Sequence, residues 1–309
     1  MSGMATLKNR GTGRSVTLEY EHTVGRSPRC ALHLADSSVS AQHASIRWNG
    51  HEWETRDLGS LNGTLVDGQK LDTRESRRIG AGVRLLFGNS HEEWELTDAG
   101  PPTVMLSALD GTAQLMPERE LIGVPSSDDP QATAFCGADG RWRLEQADAP
   151  TIILDDQRIV DVAGKSWRFS CPALVSPTTG RDRPPDLSDL SLELRVSRDE
   201  EHVEAVVSGV PGGAAPLGTR GHNYLLLLLA RSRLEDVGRN LPDTSRGWVD
   251  QDEITRGLAT TPELLNLDIF RIRRQFARLG ITGAVNIIER RPRAKQLRIG
   301  VGRLVITPL

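Results

Sequence analysis

The stretch Gly25-Arg26-Ser27, followed by Ser40-Ala41-Gln42-His43 and then Asp57-Leu58-Gly59-Ser60-Leu61-Asn62-Gly63-Thr64, sets three polar elements between short apolar runs. The runs Ala44-Ser45-Ile46-Arg47-Trp48 and Glu52-Trp53-Glu54-Thr55 alternate in side-chain character and are separated by Asn49-Gly50, a strong hairpin signal. A further strand begins near His22 and closes at Gly25. The three elements therefore fall in loops at strand ends, where a rigid scaffold can converge side chains on one ligand. Arg26 offers a planar fork of N–H donors suited to a dianion. Ser40 and Ser60 add hydroxyl donors, and Asn62 carries both an amide donor and an acceptor. His43 reads as a loop brace rather than a ligand contact.

In this order, Gly25-Arg26, Ser40-x-x-His43 and Asn62-Gly63-Thr64 resemble a forkhead-associated (FHA) domain. The resemblance implies an all-β sandwich that binds phosphothreonine peptides. It places Arg26 and Ser40 on the phosphate, Asn62 on the peptide backbone and Ser60 along the site. Ala41 departs from the polar or basic residue common in that family, and Leu61 from its frequent threonine. The alternative is a sandwich that keeps the loop geometry and binds nothing.

With 309 residues, 38% hydrophobic and 26% charged, the chain has the material for two or three globular domains. Its longest apolar run, Leu225 to Ala230, is too short to span a bilayer, and no charged-then-apolar leader opens the sequence. Cys30, Cys136 and Cys171 are widely spaced, odd in number and form no metal pattern, which fits a reducing, cytoplasmic setting. No nucleophile motif or cofactor signature is present, so the expectation is a non-enzyme that needs neither metal nor cofactor. Gly164-Lys165-Ser166 imitates the end of a P-loop, but Ile159 occupies the place of the leading glycine and the context is strand-like.

Charge is unevenly distributed. Residues 256–309 hold eleven Lys and Arg against Glu263, Asp268 and Glu289, a balance of +8 that leaves −11 elsewhere for the net −3. Such asymmetry points to an acidic partner for the C-terminal part, nucleic acid first.

Two breaks divide the chain: Asp98-Ala99-Gly100-Pro101-Pro102, and the proline-rich Ser176 to Pro185. They delimit domains at 1–98, 103–175 and 186–309, with 176–185 as linker. Residues 103–175 resemble a worn copy of the first domain. Ile153 to Ile159 parallels Leu65 to Leu71, Ala163 to Phe169 parallels Ala81 to Phe87, and Arg141 to Glu145 parallels the run at Glu52. The chemistry is missing, because Ile122-Gly123-Val124 has no arginine after its glycine and no Ser-x-x-His follows. An unrelated small β-domain is the other reading. In the linker, Thr179 has Asp182 three residues on, which suggests an intramolecular phosphorylated ligand for Arg26 if a kinase modifies it.

Beyond the linker, Leu190 to Val196 and His202 to Val207 alternate as strands. An apolar helix is expected from His222 to Leu234 with a cap near Thr219, and a second from Asp250 with a capping box to Glu253. A third start signal is Thr260-Thr261-Pro262-Glu263, with proline in the first turn and Thr260, like Asp250, three residues before a glutamate. In the helix it opens, Leu265, Ile269, Ile272, Phe276 and Leu279 form one apolar stripe. Arg271, Arg274 and Arg278 line another face, flanked by Arg273 and Gln275. A hairpin is expected from Val285 to Glu289 and Gln296 to Ile299, around the basic turn Arg290 to Lys295.

This order resembles the winged helix-turn-helix of OmpR-like transcription regulators, giving an α+β winged-helix domain after the β-sandwiches. The resemblance implies DNA contacts from Arg271, Arg273, Arg274 and Arg278 on the recognition helix and from Arg291, Arg293 and Lys295 on the wing. The arginine face read by itself also suits a solvated surface, an RNA or a protein. Two functions stay open. One is a cytoplasmic transcription regulator that reads phosphothreonine on a partner under Ser/Thr kinase signalling and binds double-stranded DNA, with a homodimer admitted. The other is a phospho-dependent adaptor whose winged helix binds no DNA.

Overall fold

The computed structural model describes residues 4–137, 139–147, 149–171 and 185–309. Their contacts divide into two compact units: residues 4–105 with Ser170 and Cys171, and residues 106–169 with 185–309. The sequence suggested separate domains at 103–175 and 186–309, whereas most of the former groups with the latter in one unit. Thr178, Thr179 and all of the expected linker except Pro185 lie outside the described residues.

The first unit contains eleven strands in two sheets. One sheet runs in the order Leu32–His33, Glu21–Gly25, Ala44–Trp48, Trp53–Asp57 and Ser76–Ile79. The other runs Ser15–Thr17, Thr6–Asn9, Glu93–Asp98, Arg84–Phe87, Thr64–Val66 and Gln69–Lys70. Alternation along the strands turns Leu7, Val24, Ile46, Trp53, Leu85, Phe87, Trp94 and Leu96 into one shared core. The Asn49-Gly50 turn forms as its sequence requires. Gly50 takes a φ of 105°, and the Asn49 side-chain oxygen accepts from the amides of His51 and Glu52, both at 3.0 Å. Antiparallel register places Val24 opposite Ala44 and Ala44 opposite Asp57, so all three polar loops open at one end of this sheet.

In the second unit, residues 106–169 contribute to two four-stranded sheets. One is Gln114–Leu115, Met105–Ala108, Lys165–Ser170 and Ile159–Val162; the other is Leu121–Val124, Ala132–Cys136, Trp142–Gln146 and Ala149–Ile153. The C-terminal part opens with a meander of Ser191–Val196, Val203–Val210 and Gly213–Thr219, and Arg303–Pro308 returns parallel to Ser191–Val196. Between them lie helices α1 (Asn223–Gly238), α2 (Gln251–Gly257) and α3 (Pro262–Arg278). A hairpin of Ile288–Arg291 and Gln296–Ile299 follows, joined by Val249–Asp250 as its third strand.

Three boundaries differ from expectation. Thr219 is held in the sheet opposite Glu204, so it does not cap α1, which begins at Asn223. Thr261, not Thr260, caps α3 by accepting from the Leu264 amide at 3.3 Å. Val285 lies in a 3-10 turn, Ala284–Ile287, that Gly283 starts with a φ of 68°.

The largest departure is α3. Its expected stripe is buried at Leu265, Ile269, Ile272 and Phe276. A second stripe, Phe270, Arg273 and Ala277, is buried as well. Leu121 and Phe135 belong to the same apolar core as both stripes. A Cβ placed on Gly123 would stand 2.9 Å from the Phe270 ring, so that glycine permits the close approach of strand and helix.

Arg273 is only 2% exposed and donates to both carboxylate oxygens of Glu145, at 2.6 and 3.2 Å, and to the Ile288 carbonyl at 2.6 Å. Arg290 lies 2.9 Å from the same carboxylate. Burial pushes the Glu145 carboxyl up, but the two guanidinium groups outweigh it and hold it below its usual value. Removing one partner of such a pair strands the other charge in the interior. Glu145→Ala is therefore expected to cost about 3–5 kcal/mol in a denaturant titration. Glu235→Ala, which breaks an exposed pair with Arg239, should cost at most about 0.5 kcal/mol; similar small losses in both would contradict the structural role given to Glu145.

Candidate functional site

The three polar loops of the first unit are tied into one framework. Gly25 ends its strand against the second loop: a Cβ there would stand 2.4 Å from the Ala41 carbonyl oxygen. That proximity lets the Arg26 amide donate to Ser40 O at 2.9 Å and the Ser27 amide to Ala41 O at 3.0 Å. The Arg26 Nε donates to Val39 O at 3.2 Å, which aims the guanidinium while leaving its two terminal amino groups without a partner among the described residues. Arg26 is exposed and Ser40 half-buried beside it.

His43 is fully buried and links the second loop to the third. Its Nδ1 accepts from the Ser40 amide at 3.0 Å, so the ring proton sits on Nε2 and donates to Gly63 O at 3.0 Å. The ring also meets Phe87 edge-on, with centroids 6.0 Å apart. Burial pulls the His43 pKa down, more strongly than the Gly63 bond and the Asp57 charge push it up. The expected role as loop brace describes this geometry.

The third loop is organised by Asp57, a buried carboxylate outside the set of residues expected at the site. One oxygen accepts from the amides of Gly59 and Ser60, at 2.8 and 2.9 Å. The other accepts from the hydroxyls of Ser60 and Thr64, at 2.6 and 2.8 Å. Burial favours its neutral form, but these hydrogen bonds prevail and hold the pKa below its ordinary value. The signal was the spacing Asp-x-x-Ser-x-x-x-Thr ahead of a strand, which suits a carboxylate collecting local donors.

The predicted ligand residues thus separate into two kinds. Ser60 spends its proton on Asp57 and accepts from the Gly63 amide at 2.9 Å, which makes it part of the loop framework. Ser40 accepts from the Leu61 amide at 3.1 Å, leaving its hydroxyl proton to point elsewhere. Asn62 donates to Ser38 O at 2.7 Å, and its side-chain oxygen keeps its acceptor capacity. Arg26, Ser40 and Asn62 therefore offer a charged fork, a hydroxyl and an amide acceptor on loops that are already fixed. Lys70 was not foreseen: its stem crosses Gly63 so closely that a Cβ there would lie 2.1 Å from Cε. Leu61 stands beside the site and is 87% exposed.

The C-terminal arginines fare differently from expectation. Arg273 cannot face a nucleic acid from its buried position against Glu145. Arg274 donates its Nε to Glu118 at 2.5 Å, Arg278 donates to the same carboxylate, and Arg271 lies 3.7 Å from Asp268. The visible clue was Phe270 and Ala277, which flank Arg273 at helical spacing and make a second buried stripe. Arg291, Arg293 and Lys295 are exposed at the hairpin turn, with Arg291 stacked 3.8 Å from the Trp248 ring. No helix among the described residues is long and apolar enough to cross a membrane.

Because the folded state binds the His43 proton more weakly than the unfolded chain does, its contribution to stability is complete above about pH 6.5. That contribution is lost as pH falls through the lower folded value. Thermal melting of the ligand-free chain should show this acid-side loss, and His43→Gln should remove part of it. An unchanged pH profile in the variant would contradict the neutral-imidazole brace.

A family model for the FHA domain matches residues 22–88. FHA domain-containing protein FhaB of Mycobacterium tuberculosis is 40% identical over 75 residues, covering 24% of this chain and 48% of that protein. The oxoglutarate dehydrogenase inhibitor of Corynebacterium jeikeium is 38% identical over 96 residues, covering 29% of this chain and 66% of that protein. A solved structure from work on phosphothreonine-dependent FHA domain interactions aligns at 30% identity over 30% of this chain and 94% of its own, with a TM-score of 0.27. The chain spans about half the length of FhaB. The first unit thus carries an FHA domain, at residues 22–88.

Proposed function

We propose that this chain binds phosphothreonine-containing partner proteins through Arg26, Ser40 and Asn62, downstream of the Ser/Thr kinase that modifies them. The observation that carries the reading is the unspent hydrogen-bonding capacity of these three residues on loops pinned by His43 and Asp57. A phosphate dianion would take charge-assisted hydrogen bonds from the terminal amino groups of Arg26 and a further one from the Ser40 hydroxyl. The Asn62 side-chain oxygen would accept from a peptide amide. Because the loops are held by bonds internal to the domain, little ordering is left to oppose binding.

For residues 185–309, the burial of two stripes of α3 supports the adaptor reading, in which this part binds protein. The second reading, a transcription regulator that also holds duplex DNA, draws its support from exposed Arg291, Arg293 and Lys295 and from the +8 balance of residues 256–309. In that reading the helices and hairpin act as a winged helix whose hairpin turn lies along the phosphate backbone.

Calorimetric titration with phosphothreonine peptides chosen from an oriented library tests the first claim. Phosphorylated peptide should bind and its unmodified form should not. Arg26→Ala should weaken binding by about 100-fold, the loss of two charge-assisted hydrogen bonds, and Ser40→Ala by about tenfold. Equal binding of both peptide forms would overturn it. For the second, full-length chain and mixed-sequence duplex should show affinity falling with salt. Combined Arg291→Ala, Arg293→Ala and Lys295→Ala should flatten the log–log slope by about 2–3. No binding at about 50 mM salt would leave the adaptor reading.

A further inference from the structure

Arg271, Arg274 and Arg278 are spaced by three and four residues, so they form one stripe along about 10 Å of α3. All three are partly or well exposed, unlike Arg273 in the adjoining buried stripe. One acid occupies two of them: Oε2 of Glu118 accepts from Arg274 Nε at 2.5 Å, and Oε1 accepts from Arg278 Nε.

Glu118 is presented rather than merely near. Its amide donates to Leu121 O at 2.9 Å and its carbonyl accepts from the Leu121 amide at 3.3 Å. The turn between them is completed by Arg119 at a φ of 62°. Its carboxylate enters the arginine stripe with each oxygen on a separate guanidinium. Burial alone would raise its pKa; the arginine hydrogen bonds outweigh that and hold it below its usual value.

We propose that Glu118 stands in for a nucleic-acid phosphate, and that Arg271, Arg274 and Arg278 form a duplex-DNA backbone site on α3 that this carboxylate keeps closed. The proposal rests on the reading of residues 185–309 as DNA-binding. The chemistry of the exchange is conservative: one pair of anionic oxygens leaves the two guanidinium groups and another takes its place. The Glu118 contacts are solvent-accessible and therefore readily broken. The Arg273–Glu145 pair and the packing of Phe270 against Gly123 lie inside the unit and keep α3 seated while the rim opens. The resulting contact is to the phosphate backbone, because the oxygens that replace those of the carboxylate are phosphate oxygens. Such contact is independent of base sequence.

The test uses the full-length chain and labelled mixed-sequence duplex across a salt series. Glu118→Ala should bind about tenfold more tightly than wild type at low salt, with a log–log slope steeper by about 2, as two more phosphates are engaged. Adding Arg274→Ala and Arg278→Ala to that variant should erase the gain. Glu235→Ala, which removes an exposed acid from another pair in the same unit, controls for net charge and should leave affinity unchanged. Melting curves establish that each variant is folded. If wild type and Glu118→Ala bind DNA equally, the gate is refuted while the DNA-binding reading stands. A gain matched by Glu235→Ala, or one that survives loss of both arginines, refutes the gate as well. If neither protein binds at about 50 mM salt, the gate and the DNA-binding reading fall together.

Discussion

The N-terminal site depends on one buried imidazole. His43 accepts the Ser40 amide on one side and donates to the Gly63 carbonyl on the other, so the second and third loops share a single rigid part. Each of those two backbone groups would be left unsatisfied without it, and an unmet polar group in an interior costs more than a hydrogen bond gains. Asp57 does the corresponding work within the third loop, collecting two amides and two hydroxyls. The division of labour follows from these bonds. Residues whose donors are consumed internally form the frame, and Arg26, Ser40 and Asn62 retain capacity for a ligand.

In the second unit the corresponding constraint is the burial of two stripes of α3. The two stripes adjoin, so α3 is buried along one broad face and keeps an exposed arc through Leu264, Arg271 and Arg278. Burying Arg273 required a carboxylate, and Glu145 supplies it from the strand Trp142–Gln146. Desolvation makes such a pair a poor source of net stability but a strong requirement for correct assembly, since either partner alone would be an unpaired buried charge. Leu121, Phe135 and Phe270 share one apolar core, and residues 106–169 group with 185–309 in one compact unit.

The first unit was legible because its information is local. Alternation around Asn49-Gly50 set the strands, and the types of residue at 26, 40, 43 and 62 set the chemistry of the loops. In sequence Ser60 resembles a ligand contact, because a hydroxyl does not reveal where its proton goes; Asp57, three residues earlier, takes it. The burial of Arg273 is hidden from the sequence for a related reason. Helical spacing puts it among arginines, but only a distant residue, Glu145, determines that it turns inward. Phe270 and Ala277 on either side were the local sign of a second buried stripe. The grouping of 106–169 with the C-terminal part arises from packing between segments far apart in sequence, which neither the proline-rich break nor the internal similarity to the first domain could signal.

In the proposed function, the FHA loops are a preformed receptor whose ligand contacts are Arg26, Ser40 and Asn62. A crystal structure of the chain with a phosphothreonine peptide tests it most directly. Phosphate oxygens are expected on the Arg26 guanidinium and the Ser40 hydroxyl, and a peptide amide on the Asn62 side-chain oxygen. The His43, Asp57 and Asn62–Ser38 bonds should stay as they are. A phosphate bound elsewhere, or one reached only after the His43 bonds to Ser40 and Gly63 break, would contradict it.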